Sequence, residues 1–107
     1  MSVNPYRGEV ELVVDGVPHR LRLTLGALAS LEARLNTGGL TELVERFETG
    51  RFSAADLLDL LSAGLQGGGA EMDRAALAKA DIEGGPLVAA KVAARLLYLS
   101  FSSPEAL

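Results

Sequence analysis

The sequence has no cysteine and no tryptophan, and its 107 residues include one histidine, four prolines, two tyrosines and three phenylalanines. Without cysteine there is no disulfide framework, no thiolate nucleophile and no sulfur ligand for zinc. The lone His19 has no second imidazole with which to share a metal, and no nucleophile or positioned acid is predictable beside it, so it reads as a structural or rim residue rather than a base. Few aromatics mean an aliphatic core of Leu, Val and Ala. Lys and Arg are not clustered: ten are scattered among fourteen acidic residues, for a formal charge of −4, which argues against nucleic acid as the main partner. No segment reaches the roughly 18 uninterrupted apolar residues of a membrane span, and MSVNPYRGEVE lacks a signal-peptide apolar run. There is no repeat with a period of roughly 20 to 50 residues. The expectation is a single cytoplasmic domain over 1–107, with no cofactor, no metal site and no enzymatic activity.

The fold class expected is α+β, mainly α: an N-terminal β-hairpin over 8–24, four to five short helices over 25–101, and a tail at 102–107. GEVELVV and VPHRLRLT flank Asp15-Gly16, a dipeptide suited to the type I′ turn. With those two residues in the turn, Val14 faces Val17, Val13 faces Pro18, Leu12 faces His19 and Val10 faces Leu21. Glu11 then faces Arg20 and Glu9 faces Arg22, so apolar pairs share one face and two ion pairs the other. Pro18 cannot donate to a further strand, which makes that side of the second strand an edge.

Thr24 is an N-cap for LTLGALASLEARL, with Leu23 and Leu28 as a hydrophobic staple, a Leu28, Leu31, Leu35 stripe, and Asn36 and Gly38 as terminators. Gly26 in the first turn suggests close approach of helix and sheet. A second helix is expected over 40–48, with Leu40, Leu43, Val44 and Phe47 inward and Glu42–Arg46 as an i, i+4 pair. Ser53 caps a third helix with Asp56 as its box partner, and Leu57, Leu58, Leu61 and Leu65 face the core while Leu60 lies off that stripe. Gly67-Gly68-Gly69 reads as a flexible connector. Asp73 caps a short helix ending near Lys79, with Met72 and Leu77 as its staple. Gly84-Gly85-Pro86 opens the last helix, PLVAAKVAARLLYLSFSS.

That last helix is apolar almost all round, interrupted only by Lys91 and Arg95. Val88, Val92, Leu96 and Leu99 form one stripe, and Ala90, Ala94, Leu97 and Phe101 the nearly opposite one. Such a helix is either central or presents half its surface to a partner. The candidate partner-binding residues are Leu87, Lys91, Arg95, Leu97, Tyr98 and Phe101, the two cations being otherwise readable as a solvated stripe. No catalytic, cofactor-binding or metal-binding residue is assigned. Asp56 and Asp59 lack the alternating ligands of an EF-hand, and GLQGGGAE follows a helix and lacks the Lys-Ser/Thr ending of a P-loop. A helix-turn-helix is excluded because the third helix carries two aspartates and no cation.

RGEVEL, LTLGALASLE, ERFETGRFSAADL and AGLQGGG, in that order and over nearly the whole chain, resemble the small tail proteins encoded by gene transfer agents and related long-tailed phages. The resemblance implies a tail assembly chaperone that binds the tape measure protein during tail morphogenesis, with tail tube subunits as further partners and a homo-oligomer allowed. Members of the family are also labelled tail tube proteins, so a structural tube component is the alternative. A third reading is a helical interaction module of other function. A tube subunit generally adds long strands to a continuous barrel, and this sequence offers one hairpin; the chaperone is therefore the leading expectation.

Overall fold

The computed structural model describes residues 3–102, Ser102 by its backbone only. The tail expected at 102–107 thus lies almost wholly outside the described residues. A 3₁₀ turn (Pro5–Arg7) leads into β1 (Val10–Val14) and β2 (Val17–Leu21), followed by α1 (Leu25–Leu35), α2 (Leu40–Glu48), α3 (Ala54–Gly67), α4 (Arg74–Lys79) and α5 (Gly85–Ser102). This is the expected α+β, mainly α arrangement.

Turn chemistry sets the hairpin. Asp15 and Gly16 both adopt left-handed backbone, with φ of 51° and 79°, as a type I′ turn requires. The strands pair Val10 with Leu21, Glu11 with Arg20, Leu12 with His19, Val13 with Pro18 and Val14 with Val17. Every pairing expected within the ladder is present. The ion pairs are not: among the described residues no carboxylate–guanidinium contact within 4.0 Å joins Glu11 to Arg20 or Glu9 to Arg22. Glu9 is instead buried, and its Oε1 accepts the Asn4 N–H at 2.8 Å.

Both edges of the hairpin are engaged. On the β1 side, the α4–α5 connection pairs with the strand: Val14 bridges Ile82, Glu83 N–H donates to the Val13 carbonyl at 3.1 Å, and Asp15 N–H donates to the Asp81 carbonyl at 2.7 Å. The Asp15 carboxylate in turn accepts the Asp81 N–H at 2.8 Å. On the β2 side, the edge is open around Pro18 but closed at its end, where Arg22 N–H donates to the Gly64 carbonyl of α3 at 2.9 Å. Asp15→Ala removes an acceptor and forces a β-carbon residue without a local hydrogen bond into left-handed backbone. We expect a loss of about 1 to 2 kcal/mol in urea unfolding, and Asp15→Asn should cost clearly less.

The helices start where their caps dictate. Thr24, Ser53 and Asp73 accept N–H groups of Ala27, Asp56 and Ala76, and Ser53 with Asp56 forms a complete capping box. Asn36 ends α1 at φ 53°. The charges of α2 do not pair with each other: Glu42 accepts the Gly38 N–H, and Arg46 donates to the Leu35 carbonyl at 2.8 Å and lies 3.9 Å from Asp56. A partner at a helix end, where backbone groups lack an intrahelical bond, outcompetes an exposed i, i+4 pair, whose worth is only a few tenths of a kcal/mol.

The central element is α3. It packs against α1, α4, α5 and β2, while the hairpin's apolar face rests on α3 and α5, and α2 bridges α1 to α5. This explains why Leu60, expected off the core stripe, is 0% exposed: neighbours on several sides bury more than half the circumference of α3, through Leu60, Leu61, Ser62, Gly64 and Leu65. Leu57 and Leu58, expected to face the core, pack against it and are half-buried near the exposed start of the helix.

The first two glycines of the run, Gly67 and Gly68, form a packing surface, while Gly69 is exposed with open space around it. A β-carbon on Gly67 would overlap the Arg22 carbonyl oxygen, and one on Gly68 the Arg20 carbonyl oxygen. The C-terminal turn of α3 therefore sits directly on the β2 backbone. Gly26 has the opposite status: its β-carbon would meet nothing nearer than the Thr24 hydroxyl at 3.9 Å, so it does not serve close approach.

Candidate functional site

The side chains that carry chemistry are occupied in holding the fold. Asp59 of α3 accepts Arg74 Nε at 2.7 Å and lies 3.6 Å from Arg34, which ties α1, α3 and α4 together. Asp56 serves the capping box. His19 is half-buried opposite Leu12, and its side chain makes no hydrogen bond or ion pair among the described residues. Among these residues no group of three or more His, Asp or Glu stands close enough to hold a metal ion, and no helix is long and apolar enough to cross a membrane.

The last helix has a defined inner face, and it differs from the expected one. Ala89, Ala93, Leu96 and Leu97 are buried, Val92 and Leu99 are half-buried, and Val88 is exposed. Ala89 and Ala93 explain the change: methyl side chains one turn apart let α5 lie close to β1 and α3, whereas assignment by side-chain size favours Val88 and Val92. Leu97, a proposed partner contact, is consequently 2% exposed and belongs to the core. Four of the other five residues sit together on the outer face. Leu87 (68% exposed) and Tyr98 (63%) share it with exposed Lys91 and Arg95, while Phe101 is half-buried at its edge. Leu87, Lys91, Ala94, Tyr98 and Phe101 recur at intervals of four, three, four and three, the spacing of a helix–helix seam.

Beside this seam runs a groove between α2 and α5. One part, about 360 Å³, has buried Phe47 and Leu97 at its base and Val44, Glu48, Ala94, Arg95 and Tyr98 around it. A second part, about 420 Å³, continues past Val44 and Glu48 to Leu40, Thr41, Glu45 and Phe101. Since Phe47 and Glu48 lie across from Ala94–Tyr98, and Leu40 across from Phe101, the helices run antiparallel along it. The contribution of α2 was missed from sequence. Its signal was present, since Val44 lies at the margin of the inward stripe with Glu45 and Glu48 directly beside it.

Among the described residues, an outward seam of Leu87, Ala94 and Tyr98 thus adjoins a groove, and no group of acidic residues or His converges on it. A family model described as "Phage tail tube protein, GTA-gp10" matches residues 7–103. The chain belongs to this family. No curated protein and no solved structure matches it. The match spans the hairpin and all five described helices, so the groove is part of the family domain. Tail tube protein, GTA-gp10, is a structural phage-tail family and not an enzyme family. Membership backs a structural tail component better than the assembly chaperone that led the sequence reading, and it names no tape measure contact.

Proposed function

We propose that this chain is a structural component of a gene-transfer-agent or phage-type tail that associates with other tail proteins through its α2–α5 face, and not by strand addition. The observation behind this reading is the contrast between the two surfaces. The hairpin is engaged at the turn end of β1 by the segment around Ile82 and at the end of β2 by α3, while the outer face of α5 carries exposed Leu87 and Tyr98 beside an apolar groove. Helical burial there removes apolar area from water without requiring either strand edge to open.

Mass spectrometry of purified particles tests the proposal. The chain should be present in fixed multiple copies relative to the other tail proteins. Its absence from mature particles, with abundance in the producing cells, would overturn it in favour of the second reading, a chaperone that binds the tape measure protein and leaves. One observation favours that second reading: a tube barrel needs many paired strands, and the described residues form a two-stranded sheet whose edges are mostly engaged.

A further inference from the structure

Glu48 lies on the α2 side of the groove and Arg95 on the α5 side, and both line the same part of it. Both are exposed, and neither side chain makes a hydrogen bond or an ion pair among the described residues. Val44, Ala94 and Tyr98 supply apolar surface between and beside them. The α2 side is thus acidic, the α5 side basic and the middle apolar.

We propose that this groove pairs with the same groove of a second copy of this chain, related by a two-fold axis running along it. Rotation about that axis lays α2 of one copy over α5 of the other and preserves position along the groove. Glu48 of each copy then meets Arg95 of the other, twice per dimer, and the exposed Tyr98 rings are covered. A two-fold axis across the groove would instead stack acidic α2 on acidic α2, which like-charge repulsion opposes. A foreign helix would have to bring a base to Glu48 and an acid to Arg95 at the right separation. The same groove, turned over, already offers both, and isologous pairing of this kind is the commonest symmetry of homo-oligomers. The inference rests on reading the α2–α5 face as the association surface, and its test is independent of particle content.

Sedimentation of the purified chain decides it. Wild-type protein should be a dimer at high concentration, and Glu48→Arg or Arg95→Glu should each weaken self-association by roughly tenfold or more. Circular dichroism should show both variants folded, since both sites are exposed. An equimolar mixture of the two variants should dimerise again, because each cross-pair then joins opposite charges, and the Glu48→Arg/Arg95→Glu double variant should do so alone. A wild-type monomer at the highest soluble concentration would overturn the dimer, as would a dimer indifferent to either reversal or a mixture that stays monomeric. A monomer that binds another tail protein through the groove overturns the second copy while leaving the structural-component reading standing. Absence from particles does the reverse.

Discussion

Replacing Gly67 or Gly68 by alanine should destabilise the domain by about 2 to 4 kcal/mol, a large loss for an overpacked contact, whereas Gly26→Ala should stabilise it by about 0.5 to 1 kcal/mol. All three glycines lie in or at the end of helices, and helix propensity alone would rank them alike. Surroundings separate them. The new methyl at position 67 or 68 would be aimed at the Arg22 or Arg20 carbonyl oxygen, main-chain atoms that cannot turn aside like a flexible side chain. Relief requires the end of α3 to lift from β2, which strains the bond from Arg22 N–H to the Gly64 carbonyl and opens the junction where Gly64 meets Leu21 and Leu96. Gly26 is exposed with open space ahead of its missing methyl, so alanine there mainly reduces the freedom of the unfolded chain. Urea midpoints of the three variants measure the contrast. An unchanged midpoint for Gly67→Ala would mean that α3 does not seat on the β2 backbone.

These glycines also mark where sequence reasoning stops. Local signals were legible because their causes are local: Asp15-Gly16 forces a tight turn and with it the register, and Ser53, Asp73 and Thr24 fix helix starts within a few residues of themselves. The bounds of α2 and the end of α4 followed from the same punctuation. Whether a glycine run is slack or tightly seated depends on which element crosses it, and that information lies forty or more residues away in β2. Charge pairing failed in part for a related reason: Arg46 donates to the Leu35 carbonyl, a partner in place only once α1 and α2 have met, while Glu42 accepts the nearby Gly38 N–H ahead of its own helix.

Helices rich in apolar residues were misread for another physical reason. Periodicity identifies the inner face by contrast with a polar one, and α3 and α5 provide little contrast. In α3, Leu57, Leu58, Leu60, Leu61 and Leu65 span nearly half the circumference, wider than a stripe of four, so Leu60 was left outside although several elements enclose it. In α5, two opposed apolar stripes were visible, but the true inner face lies between them, centred on Ala89, Ala93 and Leu96 and reaching Leu97. Small residues that permit close approach carry no strong hydrophobic signal. Of the candidate residues, Leu87, Lys91, Arg95 and Tyr98 are exposed, whereas Leu97 belongs to the core.

That distinction predicts opposite behaviour for two adjacent residues. Leu97→Asp should unfold the isolated domain or bring it close to unfolding, at a cost of at least about 3 to 5 kcal/mol, because it buries a carboxylate with no counter-charge and removes a core side chain. The typical stability of a small domain, about 5 to 15 kcal/mol, leaves little after such a loss. Tyr98→Asp, one position on but facing outward, should shift the denaturant midpoint by no more than about 0.5 kcal/mol equivalent, as exposed substitutions usually do. It should nevertheless block incorporation of the chain into particles, since a charge then occupies the centre of the apolar seam beside the α2–α5 groove. Circular dichroism with urea unfolding reads the first effect, and complementation of a strain lacking the chain, followed by particle counts, reads the second. A well-folded Leu97→Asp would mean that α5 is rotated relative to the core described above. A Tyr98→Asp chain that still enters particles at the wild-type level would remove the outer face of α5 from tail assembly, whatever its exposure.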